Sequence, residues 1–535
     1  MNVTRRQILQ AGAGLGSLTL LSPLQAMAQA ASEPQRGGTV IEGFPAEPNT
    51  LTAAYRSTNA GSRITPKIFD GLLTYDFDFT PKPQLATSWE VSPDGLLYTF
   101  NLREGVKWHD GVPFTSGDVA FSLVEAWKKY LPRGLMLFDH LEDVDTPDDL
   151  TVRWKLSQPA PFTLVSLCSF FMQPIPKHLY EGTDIMENPA NLAPVGTGPF
   201  RFAEWSKGNF VRLVRNEDYW DQPRPYLDEV IYRFMPDSAA RSAALEAGDI
   251  DIIGESQIPG IDLARFRDVP GISVSTEGYS YIATMQYVVF NLDRPYISDV
   301  KVRHAIAHAL DPQFVADNIW HGFAQPATGP IPRQMTAAYT SDTVQYPFDV
   351  AKANALLDEA GYPRGANGIR FELMMDPFPG QETLLRTGEY LREALSQVGI
   401  AVTVRTQDSA SYTNRVYTDR DWDMVTVATS IGPDFTIAGQ TFFWSKAYRP
   451  GVPVSNYSHY VNPDLDVVLE AAAVEVDADK RNLLFHDVQR IIQNDLPHIS
   501  LCDVDLVTVN TQRFVGHTVG AEGIKANYAH AYFTA

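Results

Sequence analysis

Three stretches of this sequence hold residue types that could do chemistry. His304 and His308 stand four apart, a spacing that sets two imidazoles on one helix face and can ligate a metal. No Glu lies between them in HExxH order and no third ligand is apparent, so the pair reads as a solvated helix face. Gly196-Thr197-Gly198-Pro199 has the glycine spacing of a phosphate-cradling loop. No Lys-Ser/Thr follows, and Pro199 would disturb a helix start, so these glycines read as residues that permit positive φ in a tight turn. Cys168 and Cys502 lack the CxxC spacing of zinc or redox sites. Their apolar neighbours favour buried free thiols, while an oxidising compartment would also permit a bridge. No GxSxG elbow or other nucleophile–base motif is present, which speaks against a hydrolase.

The elements around these residues differ along the chain. The early part is strand-rich. Thr39 to Phe44, Leu96 to Leu102 and Leu150 to Leu156 read as strands, and one helix starts near Thr115 or Ser116, with Asp118 in its first turn, and runs past Trp127. In the middle, Asp299 opens an amphipathic helix with Val302, Ala305, Ile306, Ala309 and Leu310 on one face. Asp311-Pro312 caps and begins a second helix, ended by Gly322, and Asp349 caps a third, ended by Gly361 and Pro363. Ile369 to Met375, Glu382 to Val398 and Ile400 to Thr406 then read strand, helix, strand. This is a βαβ unit and implies an α/β lobe. Asp423 to Ala428 and Leu501 to Val509 read as further strands. Two α/β lobes with a cleft between them would suit ligand capture by hinge closure.

Composition narrows the classes. The 535 residues carry a net charge of −21, which repels phosphate backbones and excludes nucleic acid as a natural partner. Arg5-Arg6, an apolar run from Ile8 to Leu24, and Ala26-Met27-Ala28 read as an export signal of the twin-arginine type over residues 1–28. The run is too short to span a bilayer well, roughly 20 apolar residues being needed, so no direct membrane insertion is expected. Removing Arg5 and Arg6 with the signal takes the charge from −21 to −23. The remaining chain, about 505 residues, exceeds one core and calls for two or more domains.

Five blocks carry a resemblance. They are PQLATSWEVSPDGLLYTFNLREGVKWHDGVPFTSGDVAFS (Pro83 to Ser122), PVGTGPFRFAEWSKGNFVRLVRNEDYW (Pro194 to Trp220), ARSAALEAGDIDII (Ala240 to Ile253), SDVKVRHAIAHALDPQFV with the later GFAQPATGPIP (Ser298 to Val315 and Gly322 to Pro332), and AKANALLDEAGYP (Ala351 to Pro363). In this order, over nearly the whole chain, the sequence resembles the periplasmic solute-binding proteins of peptide-type ABC transporters, family 5, the dipeptide, oligopeptide and nickel group. The resemblance implies an α/β, two-lobed periplasmic-binding-protein fold of the class II type, with an extra domain inserted in the first lobe. The first lobe would comprise residues 36–79, 194–280 and 503–535, the insert 80–193, and the second lobe 281–502. It also implies a soluble periplasmic monomer that captures a small-molecule or peptide ligand, delivers it to membrane permease subunits, uses no cofactor and is not an enzyme. An opine-like compound, an oligosaccharide or a nickel chelate is the alternative solute. A secreted enzyme and a periplasmic chaperone are the rival classes.

The resemblance also locates a pocket, in Trp422 to Trp444. In the family's peptide binders an Asp near the end of this strand holds the ligand's α-ammonium, three residues before the acid of a following turn. Here the turn acid is Asp434 and the matching position is Ile431, which cannot pair with an ammonium. Dipeptide binders also place an Arg after the strand that matches Ile369 to Met375, and Asp376-Pro377-Phe378-Pro379 has none. The pocket is therefore expected to use aromatic stacking and hydroxyl or backbone contacts. The candidates are Phe378, Thr429, Ser430, Phe435 and Trp444, with Asn49 and Tyr281 from strand-end loops. Asp434 either reaches a cationic group or caps the next turn. The competing place for each ring is the core.

Overall fold

The computed structural model describes residues 34–55, 58–453 and 455–535, and the expected export signal lies outside the described residues. Among the described residues no helix is long and apolar enough to cross a membrane.

Two large sheets organise the chain. In the seven-stranded sheet the order is Ile272–Ser275, Thr508–Thr511, Ile252–Ile253, Thr39–Phe44, Glu229–Phe234, Phe210–Arg215 and Phe200–Ser206. In the six-stranded sheet it is Ala324–Pro326, His498–Val504, Thr284–Phe290, Met424–Ser430, Phe371–Pro377 and Ile400–Val404. A separate antiparallel sheet of four strands, within Ala86 to Leu156, has its own buried rings, Tyr98, Phe100 and Trp154.

The expected βαβ unit is present. Phe371–Pro377 and Ile400–Val404 pair in parallel, joined by the helix Glu382–Ser396, whose Leu384, Leu391 and Leu395 are buried. The aspartates expected to cap helices do so. The Asp299 carboxylate accepts from Lys301 N–H at 2.8 Å, that of Asp311 from Gln313 N–H at 3.0 Å, and that of Asp349 from Lys352 N–H at 2.9 Å.

Three readings are corrected. The stretch Leu501 to Val509 is two strands. His498–Val504 belongs to the six-stranded sheet and Thr508–Thr511 to the seven-stranded one, because the chain changes sheets between them. His308 is no solvated residue: it is 2% exposed, and its Nδ1 lies 2.7 Å from the Pro347 carbonyl. Gly196 and Gly198 do not have positive φ. They lie against the end of the helix Asn59–Ile68, where an added Cβ at Gly196 would sit 1.9 Å from the Ile68 carbonyl oxygen. Both cysteines are buried and free.

Candidate functional site

Two segments carry the chain between the large sheets. One joins Ile272–Ser275 to Thr284–Phe290, and the other joins His498–Val504 to Thr508–Thr511. They are fixed on the seven-stranded side. Tyr279 OH lies 2.7 Å from Thr508 Oγ1 and accepts from Glu255 N–H at 2.8 Å, while Ser256 N–H donates to the Val507 carbonyl at 2.8 Å. A cavity of about 240 Å³ lies along both segments, walled by Phe77, Tyr279, Gln334, Val504 and Asp505.

The expected pocket residues divide. Thr429 and Ser430 end the strand Met424–Ser430 and are half-buried, as is Phe378, whose ring meets Tyr412 edge-on at 5.3 Å. Phe378 N–H donates to the Thr426 carbonyl at 3.0 Å, which holds these three on one sheet end. Tyr281 belongs nearby through its backbone: an added Cβ at Gly432 would lie 2.9 Å from the Tyr281 carbonyl oxygen. Its ring is 1% exposed, stacked on Tyr75 at 5.4 Å and 5.2 Å from Phe171. Its hydroxyl donates to the Val165 carbonyl and accepts from Cys168 Sγ at 3.2 Å.

The other four stand elsewhere. Asn49 is exposed on its loop. Phe435 is fully buried between Phe443 and Phe485, a core position. Trp444 is half-buried, and its Nε1 donates to Glu470 at 3.0 Å. Asp434 resolves to the capping role. Its carboxylate accepts from Thr436 N–H at 2.9 Å and takes both Nη atoms of Arg481, at 2.5 and 2.9 Å, leaving nothing for a ligand cation. Ile431 is fully buried, and Asp376 pairs with Arg405 at 2.6 Å. Neither charge anchor known from the peptide binders is rebuilt at its expected position.

Sequence reading missed two residues. Arg133, at the start of the helix Pro132–Leu137, donates through Nη2 to the Gly432 carbonyl at 3.3 Å. Its guanidinium lies 3.4 Å from the Phe171 ring centre, and its Nη1 is buried without a hydrogen-bond partner. Burial lowers its pKa to about 10, which leaves it charged near neutrality. Glu522, near the C-terminus, is 4% exposed. Thr74 Oγ1 donates to its Oε2 at 2.6 Å, and its Oε1 is buried without a hydrogen-bond partner. Burial pushes this carboxyl up to about 7, against the pull of the Thr74 hydroxyl. Nothing local marks either residue; only Pro132 at a helix start and the glycines around Glu522 stand out.

Among the described residues no group of three His, Cys, Asp or Glu side chains is placed to hold a metal ion. His304 Nε2 lies instead 2.8 Å from the Asn494 carbonyl.

Residues 80–449 match the family described as bacterial extracellular solute-binding proteins, family 5 Middle. The chain belongs to this family. A Brucella ovis relative is 30% identical over 502 residues, covering 90% of either chain. The family-5 fold is shared with the Listeria monocytogenes ABC transporter substrate-binding protein CtaP, at a TM-score of 0.82, 26% identity and coverage of 94% of this chain and 100% of that one. It is shared also with the Bacillus subtilis oligopeptide-binding protein AppA, solved with a nonapeptide, at a TM-score of 0.77, 25% identity and coverage of 94% and 100%. The architecture is thus the two-lobed α/β fold of periplasmic binding proteins, and a family-5 protein binds solutes instead of transforming them.

Proposed function

We propose that this chain is the periplasmic solute-capturing component of an ABC importer of the peptide class, and that it closes on a solute bearing a carboxylate. Residues 36–79, 194–280 and 503–535 would form one lobe, 80–193 the insert and 281–502 the other lobe. The two segments that cross between the sheets then act as the hinge.

Arg133 carries the reading. It reaches from the insert to Gly432 on the other lobe, where the open strand end of Thr429 and Ser430 begins. A buried guanidinium with a free Nη1 is an unsatisfied cationic donor, and a carboxylate would complete it with a charge-assisted hydrogen bond. Phe171 and Phe378 supply apolar walls, and the Thr429 and Ser430 hydroxyls supply neutral polar contacts. AppA, with its nonapeptide, makes short peptides the first solutes to try.

The test is calorimetric titration of wild type and R133A with tri-alanine and with its C-terminal amide. Loss of a hydrogen bond to a charged group removes about 1.5–3 kcal/mol, so R133A should bind tri-alanine roughly 10- to 150-fold more weakly. The amide should bind both proteins alike. Equal affinity of the two proteins for tri-alanine would take Arg133 out of the site. Failure of every short peptide to bind wild type would take this chain out of the peptide class.

A further inference from the structure

We propose that Glu522 determines specificity by receiving a cationic amine of the solute, so that the preferred ligand is zwitterionic, with its carboxylate on Arg133. The inference rests on the reading of Arg133 above.

One buried network links the two residues. Cys168 lies against both Glu522 and Tyr281, and Tyr281 and Cys168 in turn lie within electrostatic reach of Arg133. The two ends of this network carry its two unsatisfied charged groups, Oε1 of Glu522 and Nη1 of Arg133. Each is buried. Asp434 acts on Arg133 from a distance but is itself held by both Nη atoms of Arg481, and among the described residues no ion pair reaches Glu522. The buried cations of the tail and of the helix Asn59–Ile68 are already engaged. Lys525 pairs with Glu255 at 2.7 Å, Arg63 with Glu42 and Glu255, and Lys67 donates to the Ile524 carbonyl at 2.6 Å. A carboxyl held among hydroxyls, a thiol and rings gains most from a cation brought in from outside.

The surroundings suit an ammonium. The rings of Tyr75, Tyr281, Phe171 and Phe170 form a continuous series, with neighbouring centres 5.4, 5.2 and 4.4 Å apart. Their faces already accept cations: Arg133 sits over Phe171, and Lys525 Nζ lies 4.2 Å from the centre of Phe170. A carboxylate beside aromatic faces is a receptor for a primary amine. It would perform, from the chain's tail, the task that Ile431 cannot perform at the strand end.

Tri-alanine and N-acetyl-tri-alanine separate the alternatives, because both keep the carboxylate that Arg133 requires. Wild type should prefer the free amine by about 10- to 100-fold, and E522Q should bind the two within roughly threefold of each other. E522D, which keeps the charge on a shorter arm, should restore part of the preference. Equal binding of both peptides by wild type, a comparison that needs no variant, would overturn the role of Glu522 and leave Arg133 untouched. A preference kept in full by folded E522Q would also overturn it. If neither peptide binds wild type, the carboxylate reading fails as well.

Discussion

R63A should unfold at a markedly lower denaturant concentration than wild type. The expected loss is about 3–5 kcal/mol, the effect of removing one member of a buried ion pair. Arg63 lies on the helix Asn59–Ile68, and its side chain is wholly buried. Its Nη2 stands 2.5 Å from Glu42 Oε1 and its Nη1 3.0 Å from Glu255 Oε2. Burial alone would push Glu255 up, but Lys525 and Arg63 together outweigh it and hold that carboxyl at about 2. Burial already raises Glu42, despite Arg63 and Lys67. Without Arg63, Glu42 would lose its closest cation in a fully buried site. Glu42 should then take up a proton at neutral pH, so R63A should lose more stability at pH 8 than at pH 5. The sign follows from linkage: a carboxyl whose folded pKa is raised stabilises the fold below its unfolded pKa, and that contribution disappears as pH rises through the folded value. The double variant R63M/E42Q, which removes both charges at similar volume, should recover much of the loss. Denaturant midpoints for the three proteins at both pH values decide the matter. A loss below about 1 kcal/mol in R63A would mean that the cluster tolerates an unpaired carboxylate.

Features set by neighbours in the chain are legible in the sequence, and those set by distant partners are not. Caps at Asp299, Asp311 and Asp349 are local: an acid, two or three residues of helix, and the bond is determined. The βαβ unit is legible for the same reason, since its periodicities change within a few residues. Leu501 to Val509 misleads because its apolar run is continuous while its partners are not, and the change of sheet is written only in the distant strands it joins. Asp434 is ambiguous until Arg481 is seen to take both its oxygens, 47 residues away. Arg133 is further from inference still, as its partner Gly432 lies 299 residues on. A contact between segments so far apart is made by the tertiary fold, so spacing along the chain cannot display it. The family resemblance supplies the fold, and the residues at Ile431 and after Met375 lack the charges that the resemblance leads one to look for there.

G196A should be among the most damaging of the single-methyl substitutions. The added Cβ would stand 1.9 Å from the Ile68 carbonyl oxygen and 2.6 Å from its carbon, and both are backbone atoms that no rotamer change can move. The close approach has a purpose. Gly198 N–H donates to that same Ile68 carbonyl at 2.8 Å, satisfying a group left open at the helix end. His109 fastens the segment from the other side. Its N–H donates to the Gly196 carbonyl at 2.9 Å, its Nδ1 accepts from Gly196 N–H at 3.2 Å, and its Nε2 lies 2.9 Å from the Gly198 carbonyl. Burial lowers the His109 pKa to about 4, so at neutral pH the ring keeps one nitrogen free to accept. The helix held in this way also carries Arg63 and Lys67, so displacing it by an ångström disturbs the buried charges as well. G196A is therefore expected to cost about 3 kcal/mol or more. Gly208 supplies the contrast. It has φ of 76° and nothing within 4 Å of an added Cβ, so G208A should cost only the left-handed backbone strain, about 1–2 kcal/mol. Denaturant midpoints of the two variants test the distinction. If G208A is as destabilising as G196A, conformational freedom, and not the close approach to Ile68, is what glycine provides in the segment from Pro194 to Trp220.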